Sequence, residues 1–459
     1  MRGRATRSAI AVSSAALLIL GGAGCSQPAP GGESTKGSEA ASGDASAPVD
    51  LKIVEQVQID KDGKEIKPEA GITPADPVGD GKATCEPVKI AMAGALNGPD
   101  AALGINIKNG VQLALDKHNA ANPGCQIELR TFDTEGDPQK ATAIAPQIVD
   151  DETIIGLVGP AFSGETKATG GVFDQAGLLA ATASATNVTL SEQGWQTFLR
   201  GLANDGVQGP SVANYMKNTL GDQKVCVVDD STDYGIGLAQ VVRQTLGPVA
   251  DANCNISVKK GDKDFSAAVT QVKSQSPDSV FYSGYYAEAA PFVQQLRDAE
   301  FSGRFVSADG TKDPEFVKQA GSSAKDSVLS CPCGPASPEF ADEYTKKFGQ
   351  APGTYSTEGY DLGTILAKGI DSPSGLIWTC STIFRSPCAG LSPGADCLAH
   401  PAVPSSARPA APAAIVFHIR ASGTSYLRVN SRRASRASPW SLGNPWNIAV
   451  PDPAGYWTS

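Results

Sequence analysis

The side chains able to do covalent or metal chemistry are few in this chain of 459 residues. It holds three histidines and ten cysteines. A serine nucleophile needs a base beside it, and the histidine ahead of residue 373 is His118. It falls on the polar side of the helical stretch LALDKHNAAN, which predicts a solvated ring. GPAFSGET, around Ser163, lacks the GxSxG spacing of a nucleophile elbow, and GLVGPAFSG lacks the Lys-Ser/Thr of a phosphate loop. No histidine stands near the six cysteines at 85, 125, 226, 254, 331 and 333 at ligand spacing, so no metal site is expected. The acids form no recognisable catalytic pair. The sequence therefore calls for no enzyme and no cofactor. Hydroxyls at turns (Ser163, Ser184, Thr186), tyrosines after strands (Tyr234, Tyr285) and the acid of SADG (Asp309) remain. Such groups hold a small polar molecule by hydrogen bonds and charge.

The elements that must position them alternate. VKIAMAG, QIELRTFD, TIIGLVG and GLLAATASA read as strands, with NIKNGVQLALDKHN and PQKATAIAPQIVDD as helices between them. The first helix places Ile107, Val111, Ala114 and Leu115 on one face. A second series follows: strands KVCVVDD, NISVKKG, DSVFYSGYY, GRFVSAD and SVLSCPC, with helices such as YGIGLAQVVRQTL and AEAAPFVQQLRDAE between them. PEFADEYTKKFG and STEGYDLGTILAKGI read as further helices. This predicts an α/β protein of two Rossmann-like lobes with parallel sheets and a ligand cleft between them.

These segments carry a resemblance. GALNGPDAALGINIKNGVQLA, DTEGDPQKATAIAPQIV, EQGWQTFLRGLANDGVQGP, DDSTDYGIGLA and GDKDFSAAVTQVKSQSPDSVFYSGYYAEAAPFVQQLRDA resemble, in order, the branched-chain amino-acid-binding proteins of ABC importers. The fold this implies is that of type I periplasmic-binding proteins. The function it implies is capture of a small zwitterionic solute for delivery to an ABC permease, by a monomer. Ser163, Ser184 and Thr186 match the positions that bind the ligand's carboxylate, and Asp309 the acid that binds its ammonium. Tyr234 and Tyr285 match the aromatic positions that close over the ligand. Leu103 stands where an aromatic residue often lines the side-chain pocket. The alternatives are a sensor domain for an amino acid, an amide or urea, and a truncated or frameshifted product of reduced activity.

The ends follow other rules. Arg2, Arg4 and Arg7 precede the apolar run Ala9–Leu20 and then GGAGC, the pattern of a signal peptide over 1–25. Small residues before Cys25 resemble a lipoprotein signal, with Gly22 where Leu is usual. This implies an acylated Cys25 and a chain anchored outside the cytoplasm on the bacterial cell membrane. Residues 26–84 begin with Ser, Gly, Pro and Ala and are expected to be a disordered tether. Lobe 1 is expected over 86–205, completed by about 335–372, and lobe 2 over 206–334. Residues 373–459 carry seven Arg but two acids, eleven Pro, and four of the five Trp. They read as an aberrant, poorly ordered tail translated out of frame. Despite both basic ends the net charge is −10, which argues against nucleic acid. Six cysteines between the ends suit disulfides in an exported chain. Cys85 with Cys125 and Cys226 with Cys254 are the expected pairs, and Cys331 and Cys333 form a tight CPC that is left open.

Overall fold

A computed structural model describes residues 51–67, 76–371 and 414–421. Cys25, its signal segment and most of the 373–459 tail lie outside them.

The first strands fall inside the expected tether. β1 (Leu51–Ile59) and β2 (Glu65–Ile66) form an antiparallel hairpin. This corrects the reading of 26–84 as disordered throughout. Leu51 and Ile53, and then Val57 and Ile59, alternate with polar residues on either side of an irregularity in register between Val54 and Gln56, and Ile59 is fully buried. The Ser- and Gly-rich stretch ahead of them dominates the composition and hides that alternation. The turn docks on a helix described below: Gly63 (φ 73°) sets its backbone against Tyr215, and Asn218 donates to the Asp62 carbonyl at 3.0 Å.

The first parallel sheet comprises β3 (Val88–Gly94), β4 (Ile127–Asp133), β5 (Ile154–Val158), β6 (Leu179–Thr182) and β7 (Phe198–Arg200), in the order β4-β3-β5-β6-β7. Its helices are α1 (Ala101–Ala121), α2 (Pro138–Val149) and α3 (Ser163–Gln175). Lys89 apart, β3 and β5 are apolar and buried, as strands covered on both faces must be. α2 starts where Asp137 accepts from the Gln139 and Lys140 amides and Pro138 presets the first turn.

The chain crosses at α4 (Asp205–Asn218) into the second sheet. There β8 (Val225–Asp229), β9 (Ala250–Ser257), β10 (Ser279–Ser283), β11 (Arg304–Ser307) and β12 (Val328–Cys331) are parallel, in the order β12-β11-β10-β8-β9. α5 (Asp233–Leu246), α6 (Ser266–Gln275), α7 (Tyr286–Asp298) and α8 (Pro314–Ala320) belong to this series. The aromatic rings of Tyr282, Phe292, Phe305 and Phe316 pack in succession within its core.

The chain then returns to the first lobe as α9 (Pro338–Phe348) and α10 (Ser356–Asp371). Phe340, Tyr344 and Tyr360 pack with Leu113 and Ala114 of α1. α10 lies so close to α1 that a Cβ on Gly110 would stand 2.1 Å from the Ser356 carbonyl oxygen, and one on Gly359 2.4 Å from that of Ile107.

A last strand lies in the stretch expected to be poorly ordered. β13 (Ala414–Ala421) runs antiparallel between β12 and β1, pairing Val328 with His418 and Ile59 with Ala414. It corrects that expectation for these eight residues. AIVFHIRA is rich in β-branched and aromatic residues, and β12 offers it an otherwise open edge.

Among the described residues three disulfides are formed. Cys85 joins Cys125, Cys226 joins Cys254, and Cys331 joins Cys333. The Cys226–Cys254 bridge ties β8 to β9, and both residues are fully buried.

Candidate functional site

Loops at the carboxyl ends of the two sheets meet, as strand polarity requires. In the first lobe Ser163 opens α3 after β5 and is buried. Its Oγ accepts from the Asn187 amide at 3.2 Å. Ser184 and Thr186 follow β6. The Ser184 hydroxyl donates to the Ala161 carbonyl, and the fully buried Thr186 Oγ1 has no hydrogen-bond partner of ordinary geometry among the described residues.

Asp309 comes from the second lobe, after β11, and is buried. Tyr234 donates to its Oδ1 at 3.0 Å, and Tyr355, ahead of α10, donates to its Oδ2. Burial pushes the Asp309 carboxyl up from its ordinary range, while hydrogen bonds from Tyr355, Gln208 and Tyr234 oppose that shift. Tyr355 adopts φ 72°, a left-handed conformation that a bulky residue rarely takes. Strain of this kind is held where surrounding structure fixes it, often at a binding site.

A second acid, Asp205, was not legible in the sequence. It opens α4 and is completely buried. Burial first, then the Asp309 charge, pushes its carboxyl up to about 8. Neither Asp205 oxygen has a hydrogen-bond partner of ordinary geometry, although the Thr186 hydroxyl lies near enough to ease its charge. In LANDGVQGP the residue reads as a helix-start acid, and no local signal separates that role from a place at the cleft. Gln208 one turn on, and Tyr355 in a turn, were missed for the same reason.

The lobes are in contact around these groups. Phe162 of the first lobe packs on Tyr285 of the second with ring centroids 4.5 Å apart, and Tyr285 lies 5.2 Å from Tyr234. Asn106 on α1 donates to Asp313 at 3.0 Å, and Asn187 to the Asp233 carbonyl at 2.6 Å. Lys167 and Asp233 form an exposed pair at 2.6 Å. Leu103 is fully buried on α1. The six residues expected to bind a ligand are thus all buried, on loops and helix starts after the carboxyl ends of strands in both sheets.

His118 departs from expectation. It is fully buried, with Nε2 2.9 Å from Asp371 Oδ1 and Nδ1 3.2 Å from Asn119 Oδ1. The polar face of α1 is covered by α10, which a helical wheel does not reveal. His118, Cys125 and Asp371 lie close together, but the Cys125 sulfur is committed to its disulfide and supplies no thiolate.

Comparison with known proteins agrees with this geometry. A family profile described as periplasmic binding protein matches residues 87–375. The Leu/Ile/Val-binding protein of Escherichia coli K12 is 29% identical over 320 residues, covering 68% of this chain and 82% of that one. The leucine-, isoleucine-, valine-, threonine- and alanine-binding protein of Pseudomonas aeruginosa is 28% identical, covering 62% of this chain and 78% of that one. Among solved structures, a branched-chain amino acid transporter substrate-binding protein of Streptococcus pneumoniae in complex with isoleucine is similar. It has a TM-score of 0.59 and 30% identity, covering 64% of this chain and 88% of that one.

Proposed function

The chain belongs to the periplasmic binding protein family, and from that premise we propose that it captures a branched-chain amino acid outside the cytoplasm and delivers it to an ABC permease. Two relatives carry names that state such ligands, and a similar structure holds isoleucine. The observation that carries the reading is the buried Asp309 facing a lobe that supplies buried hydroxyls. In this reading Ser163, Ser184 and Thr186 take the ligand carboxylate and Asp309 takes its ammonium. Tyr234 and Tyr285 cover it from the second lobe. A buried ammonium needs a paired acid, and a carboxylate needs donors near a helix start. α3 provides such a start at Ser163.

Thermal unfolding against a panel of solutes tests this. A ligand that binds only the folded chain raises the midpoint. Leucine, isoleucine or valine should raise it. If urea or a simple amide does so and none of the amino acids does, the zwitterion reading is wrong.

Two finer points belong to the same proposal. The chain is lipid-anchored through Cys25, so Cys25→Ser should move it from the membrane fraction to the medium. Residues 373–459 are an altered reading frame, which their acid-poor, Trp-rich composition supports. Sequencing the gene checks this. A single-base correction near codon 372 should open a frame with helix and strand periodicity, and its failure to do so would refute the idea.

A further inference from the structure

Lys260 sits beyond β9 in the second lobe, where its amide donates to the Asp230 carbonyl at 3.1 Å. Its ammonium reaches across to the first lobe, 2.9 Å from Asp100 Oδ2. Asp100 stands at the start of α1 but does not cap it, and it is 1% exposed. Neither of its oxygens accepts a hydrogen bond of ordinary geometry. Lys260 is the cation recorded against it among the described residues.

Both lobes are shaped around this ammonium. It lies 5.1 Å from the ring centroid of Phe162 in the first lobe and 4.6 Å from that of Tyr285 in the second. Those rings are the pair in contact across the cleft. Gly136, in the first lobe, clears the remaining side: a Cβ there would meet the Phe162 ring at 2.7 Å and Lys260 Nζ at 3.1 Å. From the second lobe, Glu288 and Asp230 add negative charge near it. The pair therefore exists only when the lobes are together, and separating them exposes both charges to water.

We propose that Lys260 and Asp100 form a latch between the lobes that holds the closed state and slows release of the bound solute. The latch rests on the reading of the cleft as a solute site. It sets how long the cleft stays shut, and does not choose the solute. Removing Lys260 leaves Asp100 buried and unpaired in the closed state, and removing Asp100 leaves Lys260 facing the carboxyls of its own lobe, Glu288 and Asp230, without its ion pair across the cleft. Truncating one partner of a buried charge pair acts mainly on dissociation. The Lys167–Asp233 pair also crosses between the lobes but is exposed, so its loss should matter little.

The test uses the full chain and L-leucine as the probe. Lys260→Met keeps the stem of the side chain, and Asp100→Asn keeps its shape, so each variant should fold; circular dichroism checks this. Stopped-flow release of leucine should be at least tenfold faster in either variant. The double variant should release no faster than the worse single one, because the two losses share one interaction. The ratio of leucine to valine affinity should stay unchanged, and Lys167→Ala should release leucine as the wild type does. A second arm needs no solute: small-angle scattering of the ligand-free chain should give a larger radius of gyration for both single variants than for the wild type. Release rates and radii equal to wild type in both single variants overturn the latch. So does additivity of the two variants, which would make them independent. If leucine does not bind the wild type at all, the solute reading fails, and the scattering arm alone decides the latch.

Discussion

Tyr234 and Asp309 meet in a buried hydrogen bond of 3.0 Å, and the same Tyr234 hydroxyl accepts from the Gly310 amide at 3.1 Å. The tyrosine thus fixes both the acid and the turn that carries it. Tyr355 holds the other carboxylate oxygen. An acid so oriented by two phenols is held in one rotamer before any ligand arrives.

Asp309→Ala should therefore remove the partner of a buried ammonium. The expected cost is about 3–5 kcal/mol of binding free energy. Titration calorimetry with leucine measures it. Unchanged affinity would remove Asp309 from the site.

Asp205 gives a pH signature to the ligand-free protein. Its carboxyl is pushed from an ordinary 3.8 to about 8, chiefly by burial. The folded chain then keeps a proton that the unfolded chain has lost between those values. Stability from this group is present at acid pH and lost as pH rises through that window. Asp205→Asn cannot titrate. The variant's melting midpoint, relative to wild type, should therefore climb between pH 5 and pH 8 and level off above. A constant difference across that range would show that Asp205 ionises normally.

The Cys226–Cys254 bridge closes a loop of 28 residues inside the second lobe. Replacing both cysteines by serine should cost about 2–4 kcal/mol, mainly through the unfolded state. Buried hydroxyls without partners add to that loss. Denaturant titration of the double variant reads it, and a midpoint equal to wild type would rule out a stabilising role.

Gly110→Ala tests the seam by which the returning chain completes the first lobe. The added Cβ would strike the Ser356 carbonyl, which is backbone and cannot swing aside. A loss of about 1–3 kcal/mol is expected, as for overpacked cores. Ala at exposed Gly194, which has φ 79° and nothing within 4 Å, separates this clash from backbone strain. A Gly110 variant as stable as wild type would mean that α10 can shift.

The sequence by itself determined the two series of strands and helices, because strands covered on both faces must be continuous apolar runs such as VCVVD. It also named Ser163, Ser184, Thr186, Tyr234, Tyr285 and Asp309 as candidates, through segments that resemble one family in order. It carried the short alternations at 51–53 and 57–59 as well, though the polar stretch before them masked the signal. Tertiary structure alone decided the rest. His118 is buried because α10 returns from far along the chain to cover α1. Asp205 titrates high because folding takes it out of water beside Asp309. Lys260 and Asp100 are 160 residues apart in the sequence. Only closure of one lobe on the other removes both from water, and no local pattern encodes which distant charge will stand opposite.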